Sequence, residues 1–245
     1  AVVCGIGCSG RLSGYVYAYG MHTTHGRALP FAQGLKLANP ELNVIACGGD
    51  GDGMAIGLGH TYHAIRRNVN LTYILMDNHV YGLTKGQTSP RSYWGFKTKT
   101  TPTGNIETPV ATLEMALSAG ASFVAQGFST QLQELTDLIV AAVKHPGFSL
   151  VNVFSPCVTF NKVNTYDWFK ERLVGIDSIE DYDRYDKGKV LQHILEHEGL
   201  LTGLLYEDRK KRSYEEVSGL ADNNQMQSVL KFTKAEFNKL VEDFR

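Results

Sequence analysis

Short apolar segments alternate with helical patterns along most of this sequence. The apolar segments are rich in β-branched residues and span residues 1–6, 43–47, 70–76, 122–125 and 148–154. Such segments are typical of strands in a parallel sheet that is covered on both faces. Helical periodicity fills the intervals at residues 28–38, 54–67, 110–119 and 131–144, and two of these stretches stop at an Asn-Pro or a His-Pro pair. We therefore predict an α/β fold with a doubly wound, mainly parallel sheet.

The character of the sequence changes after Asn161. Residues 162–245 are richer in charge and tyrosine, have helical patterns at 190–198 and 233–244, and show no clear strand. We predict a ligand-binding α/β domain over residues 1–161 and a mostly helical extension over residues 162–245 that packs on this domain or on a partner subunit. Because Ala1 already lies inside a predicted core strand, we also expect further residues to precede it.

Charge and composition exclude several functional classes. A formal net charge of −1 gives no general attraction to nucleic acid or to an anionic membrane. No apolar run approaches the roughly 20 residues that a membrane-spanning helix needs. Four scattered cysteines are too few for a secreted disulfide scaffold, and are better read as cytoplasmic thiols or metal ligands. We expect a cytoplasmic protein that binds neither nucleic acid nor membrane.

A glycine-rich segment with two aspartates follows the predicted strand 43–47. Residues 48–53 read Gly-Gly-Asp-Gly-Asp-Gly and lead into a predicted helix. Glycines let the backbone approach an anion closely, and a helix N-terminus favours negative charge. Since Asp50 and Asp52 would repel a bare phosphate, a divalent cation is expected between carboxylate and phosphate. Asn78, at the end of the next predicted strand, offers a second oxygen ligand at the same sheet edge.

Five motifs together resemble the thiamine-diphosphate enzymes, and more closely the β subunit of the 2-oxoacid:ferredoxin oxidoreductases. They are GIGCSGR at 5–11, HTTHGRA at 22–28, GDGDG at 49–53, YGLTKGQTSP at 81–90 and SPCVTFN at 155–161, and the resemblance extends over residues 2–172. It implies a Mg²⁺ ion held by Asp50, Asn78 and the carbonyl of Val80. The thiamine diphosphate contacts that it implies are Ile6, Gly7, Cys8, Ser9, Gly51, Asp52, Gly82 and Leu83.

The resemblance also implies a 4Fe–4S cluster with four cysteine ligands. Cys8 and Cys157 match two of them, whereas the family's N-terminal Trp-Cys-Pro-x-Cys-Gly segment, which supplies the other two, is absent here. This absence agrees with the residues expected before Ala1. Cys4 and Cys47 lie in predicted strands, and we predict that both pack in the core.

For the reaction, the resemblance implies oxidative decarboxylation of a 2-oxo acid to acyl-CoA and CO₂, with electrons passing through the cluster to ferredoxin. Basic side chains at Arg11 and Lys85 would bind substrate carboxylates, and Leu83 would line the same pocket. This pattern favours 2-oxoglutarate, while pyruvate or broad specificity stays open, as does a role for both cations as solvated surface groups. His25 would contact the diphosphate or the reacting centre, or would simply cap a helix.

A partner subunit is part of the same expectation. Thiamine enzymes use a glutamate to activate the cofactor, and in this family that residue lies on the α subunit, so the chain would be active only with an α (or γα) partner. Two alternatives remain. A non-oxidative thiamine enzyme domain of the acetolactate synthase or decarboxylase type has the same Asp and Asn pattern but no use for Cys8 and Cys157. A non-catalytic metal- or nucleotide-binding module would use the glycines only to shape turns.

Overall fold

Parallel strand pairing dominates the fold. The computed structural model describes residues 1–220 together with Lys234, Lys239 and Glu242. Within these residues, eight strands form one sheet in the order β2-β1-β3-β4-β6-β5-β8-β7. The strands are β1 (Val2–Cys4), β2 (Gly20–His22), β3 (Ile45–Gly49), β4 (Thr72–Asp77), β5 (Phe123–Phe128), β6 (Ser149–Phe154), β7 (Val174–Gly175) and β8 (Leu201–Glu207). Every neighbouring pair is parallel except β5 and β8.

Helices cover both faces of this sheet. They are α1 (Ala28–Ala38), α2 (Leu58–Arg67), α3 (Thr112–Ser118), α4 (Leu132–Lys144), α5 (Tyr166–Lys170), α6 (Lys187–Glu196) and α7 (Tyr214–Ser218). Leu29 of α1 and Leu117 of α3 belong to the core on one face, and Leu138 of α4 belongs to the core on the other. Each such buried leucine stabilises the fold by about 1.5–3 kcal/mol relative to an exposed one. The doubly wound α/β fold is confirmed.

The strand cysteines pack as predicted. Cys4 and Cys47 are fully buried, lie opposite each other on the neighbouring strands β1 and β3, and belong to the core cluster that α4 covers. The helix predicted at 28–38 also has those bounds, because Pro40 forces Asn39 into an extended conformation (φ −139°, ψ 90°).

The helix predicted at 54–67 is broken near its start. A π-helical turn spans Asp52–Ile56, with Ala55 outside helical geometry (φ −105°, ψ −107°), and regular helix begins only at Leu58. Such π turns occur often at functional sites. Strand β2 was not predicted, because its three residues are exposed and therefore carry no burial pattern.

The expectation of no clear strand after Asn161 is wrong. β8 runs antiparallel beside β5, and β7 pairs with β8 at the sheet edge. The residues of β8 are buried in pairs and do not alternate, so no period-two pattern marks the strand. Gln126 anchors this region, since its Nε2 donates to the carbonyls of Gly199 and Leu201 at 2.7 Å each. α5, α6 and α7 supply the helical part of the extension.

Two further expectations for this region stay predictions. The helix predicted at 233–244 lies outside the described residues apart from Lys234, Lys239 and Glu242. The domain boundary at residue 161 is likewise not decided by the fold.

No helix among the described residues combines the length and the apolar character needed to cross a membrane.

Candidate active site

A cavity of about 420 Å³ opens at the sheet edge where β1, β3 and β4 end. Parallel strands present their carboxyl ends together, so the loops that follow them converge there. The structure brings most of the predicted site residues into this one cavity. Those lining it are Ile6, Gly7, Cys8, Ser9, His25, Asp50, Gly51, Asp52, Asn78, Val80, Gly82 and Leu83.

Asp50 is buried beside a second carboxylate. It is 2% exposed, and its Oδ2 accepts a hydrogen bond from the Ser89 hydroxyl. Burial, together with the negative charge of Asp77, raises the pKa of Asp50 to about 7. Among the described residues Asp50 forms no salt bridge, and a divalent cation would supply a direct positive partner for its ionised carboxylate.

Asn78 and Val80 complete a set of oxygen donors. Both line the cavity with Asp50, and the Asn78 side-chain oxygen accepts a hydrogen bond from the backbone N–H of Val80 at 3.1 Å. A carboxylate, an amide oxygen and a main-chain carbonyl are hard ligands of the kind that Mg²⁺ prefers. The residues present thus fit the predicted Mg²⁺ site.

The loop after β1 is shaped for an anion. Gly7 has φ 122°, a backbone conformation that residues with a Cβ atom rarely adopt. The hydroxyl of Ser9 is buried in the cavity wall with no hydrogen-bond partner among the described residues. Buried polar groups are normally paired, so an oxygen of a bound diphosphate would satisfy this hydroxyl.

Asp52 holds protein groups in place, a role that the motif alone does not show. Its Oδ1 accepts hydrogen bonds from the backbone N–H groups of Ile6 (3.0 Å) and Gly26 (2.7 Å) and lies 2.9 Å from His25 Nδ1. This contact orients the His25 ring in the cavity, edge-on to Tyr81 with 6.2 Å between ring centroids. The direct contact between Asp52 and the cofactor stays a prediction.

A buried ion pair lies directly behind Asp50. Asp77, fully buried at the end of β4, receives a hydrogen bond from Arg91 Nε at 2.8 Å. His79 Nε2 is 3.3 Å from the other Asp77 oxygen but lacks hydrogen-bond geometry. Burial opposes ionisation of Asp77, yet His79 and Arg91 outweigh it and hold the pKa of Asp77 below its usual range. No motif marks this pair in the sequence, although an acid ending a buried strand requires a partner.

Cys8 and Cys157 converge on Gly82. A Cβ placed on Gly82 would lie 3.3 Å from the Cys8 sulfur and 3.8 Å from the Cys157 sulfur. Any side chain there would intrude on the space beside both sulfurs. Within the described residues no group of three or more His, Cys, Asp or Glu side chains could hold a metal. The donor set thus fits two of the four cluster ligands, and the others would have to come from elsewhere.

Arg11 and Lys85 lie outside the cavity wall. Both are exposed; the Arg11 guanidinium stacks over the Tyr15 ring at 5.7 Å, and Lys85 occupies the tip of the loop 81–87. Their substrate contacts stay predictions. Two further histidines lie near these loops: His22 is exposed on β2, and His79 is buried in the ion-pair cluster.

Comparison with known proteins gives the family. Residues 5–153 match the thiamine pyrophosphate enzyme C-terminal TPP-binding domain, and residues 157–222 match the C-terminal family of the pyruvate ferredoxin oxidoreductase beta subunit. Similar proteins include the 2-oxoacid:ferredoxin oxidoreductase subunit beta of Sulfolobus sp (47% identical; 74% of this chain and 60% of the relative). Another is the 2-oxoglutarate synthase subunit KorB of Archaeoglobus fulgidus (48% identical; 69% of this chain and 63% of the relative).

A solved structure agrees with these relatives. The 2-oxoglutarate:ferredoxin oxidoreductase from Magnetococcus marinus, with 2-oxoglutarate, coenzyme A and succinyl-CoA bound, superposes with a TM-score of 0.87 at 40% identity, covering 100% of this chain and 82% of that chain. The chain spans about 60% of the length of the first sequence relatives. The motifs, the parallel sheet and these similarities agree, and the chain belongs to the family of 2-oxoacid:ferredoxin oxidoreductase β subunits.

Proposed function

We propose that the chain is the thiamine-diphosphate-binding subunit of an enzyme that oxidatively decarboxylates a 2-oxo acid, with 2-oxoglutarate favoured, to acyl-CoA and CO₂. Electrons would leave through a 4Fe–4S cluster to ferredoxin. The observation that carries the proposal is the placement of the oxygen donors of Asp50 and Asn78 at the same sheet edge as the neighbouring thiols of Cys8 and Cys157. A non-oxidative thiamine enzyme needs the first set but not the second.

Each part of the cavity has a distinct task in this proposal. Asp50, Asn78 and the Val80 carbonyl would hold Mg²⁺, and Ser9 with the Gly7 loop would hold the diphosphate. Bound thiamine diphosphate supplies the carbanion chemistry that the protein lacks. With Nδ1–H donated to Asp52, His25 would present Nε2 as the ring nitrogen free to accept a proton or a hydrogen bond.

The cavity by itself is an incomplete site. The described residues that line it include no glutamate, the residue type that activates the thiamine aminopyrimidine in this family. We therefore place an α (or γα) subunit against the open side of the cavity, so that the two subunits share the reacting centre. Free cysteines and the oxygen-sensitive cluster fit a cytoplasmic enzyme.

The test is redox activity of the complex. The full-length protein, purified anaerobically with its α subunit, is expected to reduce a viologen only when 2-oxoglutarate and CoA are both present, and to contain iron and acid-labile sulfide in equal amounts. Cys157→Ser should lose iron, whereas Cys47→Ala, at a buried cysteine, should retain it. Absence of iron from the unaltered complex, or CO₂ release without reduction of an acceptor, would contradict the proposal and favour a non-oxidative thiamine enzyme.

Substrate choice depends on the two exposed cations. Arg11→Ala and Lys85→Ala should each lower kcat/KM for 2-oxoglutarate relative to pyruvate by about tenfold or more, because a hydrogen bond to a charged group contributes about 1.5–3 kcal/mol. Steady-state kinetics with both substrates measures this ratio. The matched control is Arg209→Ala, at an exposed arginine paired with Glu207. If the ratio of the two kcat/KM values were unchanged in both variants, these cations would not contact the carboxylate that distinguishes 2-oxoglutarate from pyruvate.

A further inference from the structure

The motif at residues 155–161 ends in an asparagine to which the proposed function assigns no role. Asn161 is 1% exposed, and its backbone N–H donates to the carbonyl of Cys157 at 3.0 Å. It therefore closes the turn 157–161, here called the cysteine turn, which carries one of the two predicted cluster ligands. Buried polar groups are normally paired, so both the oxygen and the nitrogen of this side-chain amide should have partners.

The amide oxygen of Asn161 shapes the chain that follows the cysteine turn. Its Oδ1 accepts hydrogen bonds from the backbone N–H groups of Val163 at 3.0 Å and of Asn164 at 2.9 Å. Bonds from a side-chain oxygen to N–H groups two and three residues later are typical of asparagine and aspartate in turns. Aspartate could make the same two bonds, so this oxygen does not require an amide at the position.

The amide nitrogen of Asn161 reaches a different loop. Its Nδ2 donates to the backbone carbonyl of Asn78 at 3.2 Å, 83 positions away in the sequence, and to Oδ1 of Asn164 at 3.3 Å. The two segments lie side by side because they follow the neighbouring parallel strands β4 and β6, whose ends are joined by a 2.8 Å bond from Ser155 N–H to the Asp77 carbonyl. One side chain thus connects the cysteine turn to the loop 78–80, here called the metal loop.

The metal loop is fixed by further bonds and is strained. The side-chain oxygen of Asn78 accepts from Val80 N–H at 3.1 Å, and the carbonyl of His79 accepts from the Ser92 hydroxyl at 2.7 Å. His79 has φ 59°, a left-handed conformation that costs energy for a residue with a Cβ atom. The bond from Asn161 therefore helps to hold a strained loop whose Asn78 and Val80 oxygens would both bind the predicted Mg²⁺.

We propose that Asn161 is a positioning residue that links the diphosphate site to the cluster site. This inference rests on the proposed function, in which Asn78 binds Mg²⁺ and Cys157 binds the cluster. When the metal loop is held by its ion, the Asn78 carbonyl keeps the Asn161 amide in place, and the cysteine turn stays ordered around Cys157. Such a linkage is reciprocal: if Mg²⁺ and thiamine diphosphate help to retain the cluster, the cluster helps to retain them by the same factor.

The test compares two asparagine-to-aspartate variants of the full-length α/β complex, purified anaerobically. Asn161→Asp keeps the oxygen that forms the turn and replaces the donor to the Asn78 carbonyl by a second oxygen. The matched control is Asn164→Asp, at an asparagine with the same 1% exposure whose Nδ2 forms no hydrogen bond within the described part of the chain. This control introduces the same charge at a similar depth without removing a donated bond.

Two measurements that need no turnover report on the two ends of the link. The first is the Mg²⁺ concentration that gives half-maximal retention of thiamine diphosphate on gel filtration. The second is the rate of iron release to the chelator bathophenanthroline, with and without Mg²⁺ and thiamine diphosphate. Asn161→Asp should raise the first about tenfold or more, as is usual for a group one step removed from a metal. Mg²⁺ with thiamine diphosphate should slow iron release from the unaltered complex and from Asn164→Asp, but not from Asn161→Asp.

The opposite results would overturn the inference. They are an unchanged Mg²⁺ requirement in Asn161→Asp, a rise of the same size in Asn164→Asp, or the same effect of Mg²⁺ and thiamine diphosphate on iron release in all three proteins. Asn161→Ser, whose hydroxyl can form the turn but is too short to reach Asn78, should behave like Asn161→Asp and replaces it if the charged variant does not assemble. A linked complex that did not oxidise 2-oxo acids would overturn the proposed function alone, and normal oxidation without the link would overturn the role of Asn161 alone.

Discussion

Asp50→Asn will strip thiamine diphosphate from the purified α/β complex and lower kcat/KM by about a hundredfold or more. The substitution removes the buried carboxylate that faces the predicted Mg²⁺ position, and even groups one step removed from a metal usually change affinity or activity by about 10–100-fold. The fold should tolerate it, because burial already favours the neutral form of Asp50 by raising its pKa to about 7, and asparagine has the same shape. Cofactor retained after gel filtration, measured by thiochrome fluorescence, gives the readout.

The matched control for this prediction is Asp137→Asn. Asp137 is an exposed carboxylate on α4, far along the chain from the cavity loops, so the same change of charge should leave cofactor content and activity unaltered. An Asp50→Asn complex that kept stoichiometric thiamine diphosphate in the presence of Mg²⁺ would disprove the assignment of the metal site.

Arg91→Met should destabilise the fold by about 3–5 kcal/mol, because it leaves the Asp77 carboxylate buried without the guanidinium that donates a hydrogen bond to it. Arg91 also donates to the carbonyl of Val110 at 2.6 Å, so the loop after β4 would lose a second contact. Guanidinium unfolding monitored by circular dichroism measures the change. Removing both charges with Asp77→Asn/Arg91→Met should recover part of the loss. Arg209→Ala, at an exposed arginine paired with Glu207, should leave the unfolding midpoint nearly unchanged.

The penalty of Arg91→Met should also depend on pH. The depressed pKa of Asp77 contributes stability that is fully present above the unfolded pKa of about 4 and is lost as pH falls through the folded value. Without Arg91 the pKa of Asp77 should rise, so protonation would relieve the buried charge at mildly acidic pH. The difference between the two proteins should thus be smaller at pH 5 than at pH 8. A difference that is constant across this range would mean that packing, and not charge, is what Arg91 provides.

Much of the site could be predicted from local sequence because parallel sheets concentrate function at one edge. Asp50 ends one strand and Asn78 follows the next, so a strand–helix pattern was enough to place them together before any contact was known. Cys8 and Cys157 also follow strand ends, and in the structure both sulfurs lie within 4 Å of the position that a Cβ on Gly82 would occupy. In each case the residue type indicates which ligand the side chain could bind, and the strand pattern predicts where in the sheet that side chain lies.

Other features depend on contacts between segments that are distant in sequence. Asp52 belongs to the same motif as Asp50, yet its partners are Ile6, Gly26 and His25, which no spacing rule connects to it. β8 was missed because its buried residues come in pairs, and its place beside β5 depends on an antiparallel pairing made across the sheet. These contacts depend on burial, which tertiary packing determines.

The sequence by itself determined the α/β fold class and the family, because periodicity and short motifs at strand ends indicate both, and it predicted that Asp50, Asn78, Cys8 and Cys157 lie at one edge of the sheet. Only the tertiary structure decided that Asp77 is paired with Arg91 and that Gly82 leaves room beside two sulfurs. The physical reason is that pKa, unpaired charge and free space depend on what surrounds a side chain, and those neighbours come from loops that only the folded sheet brings together.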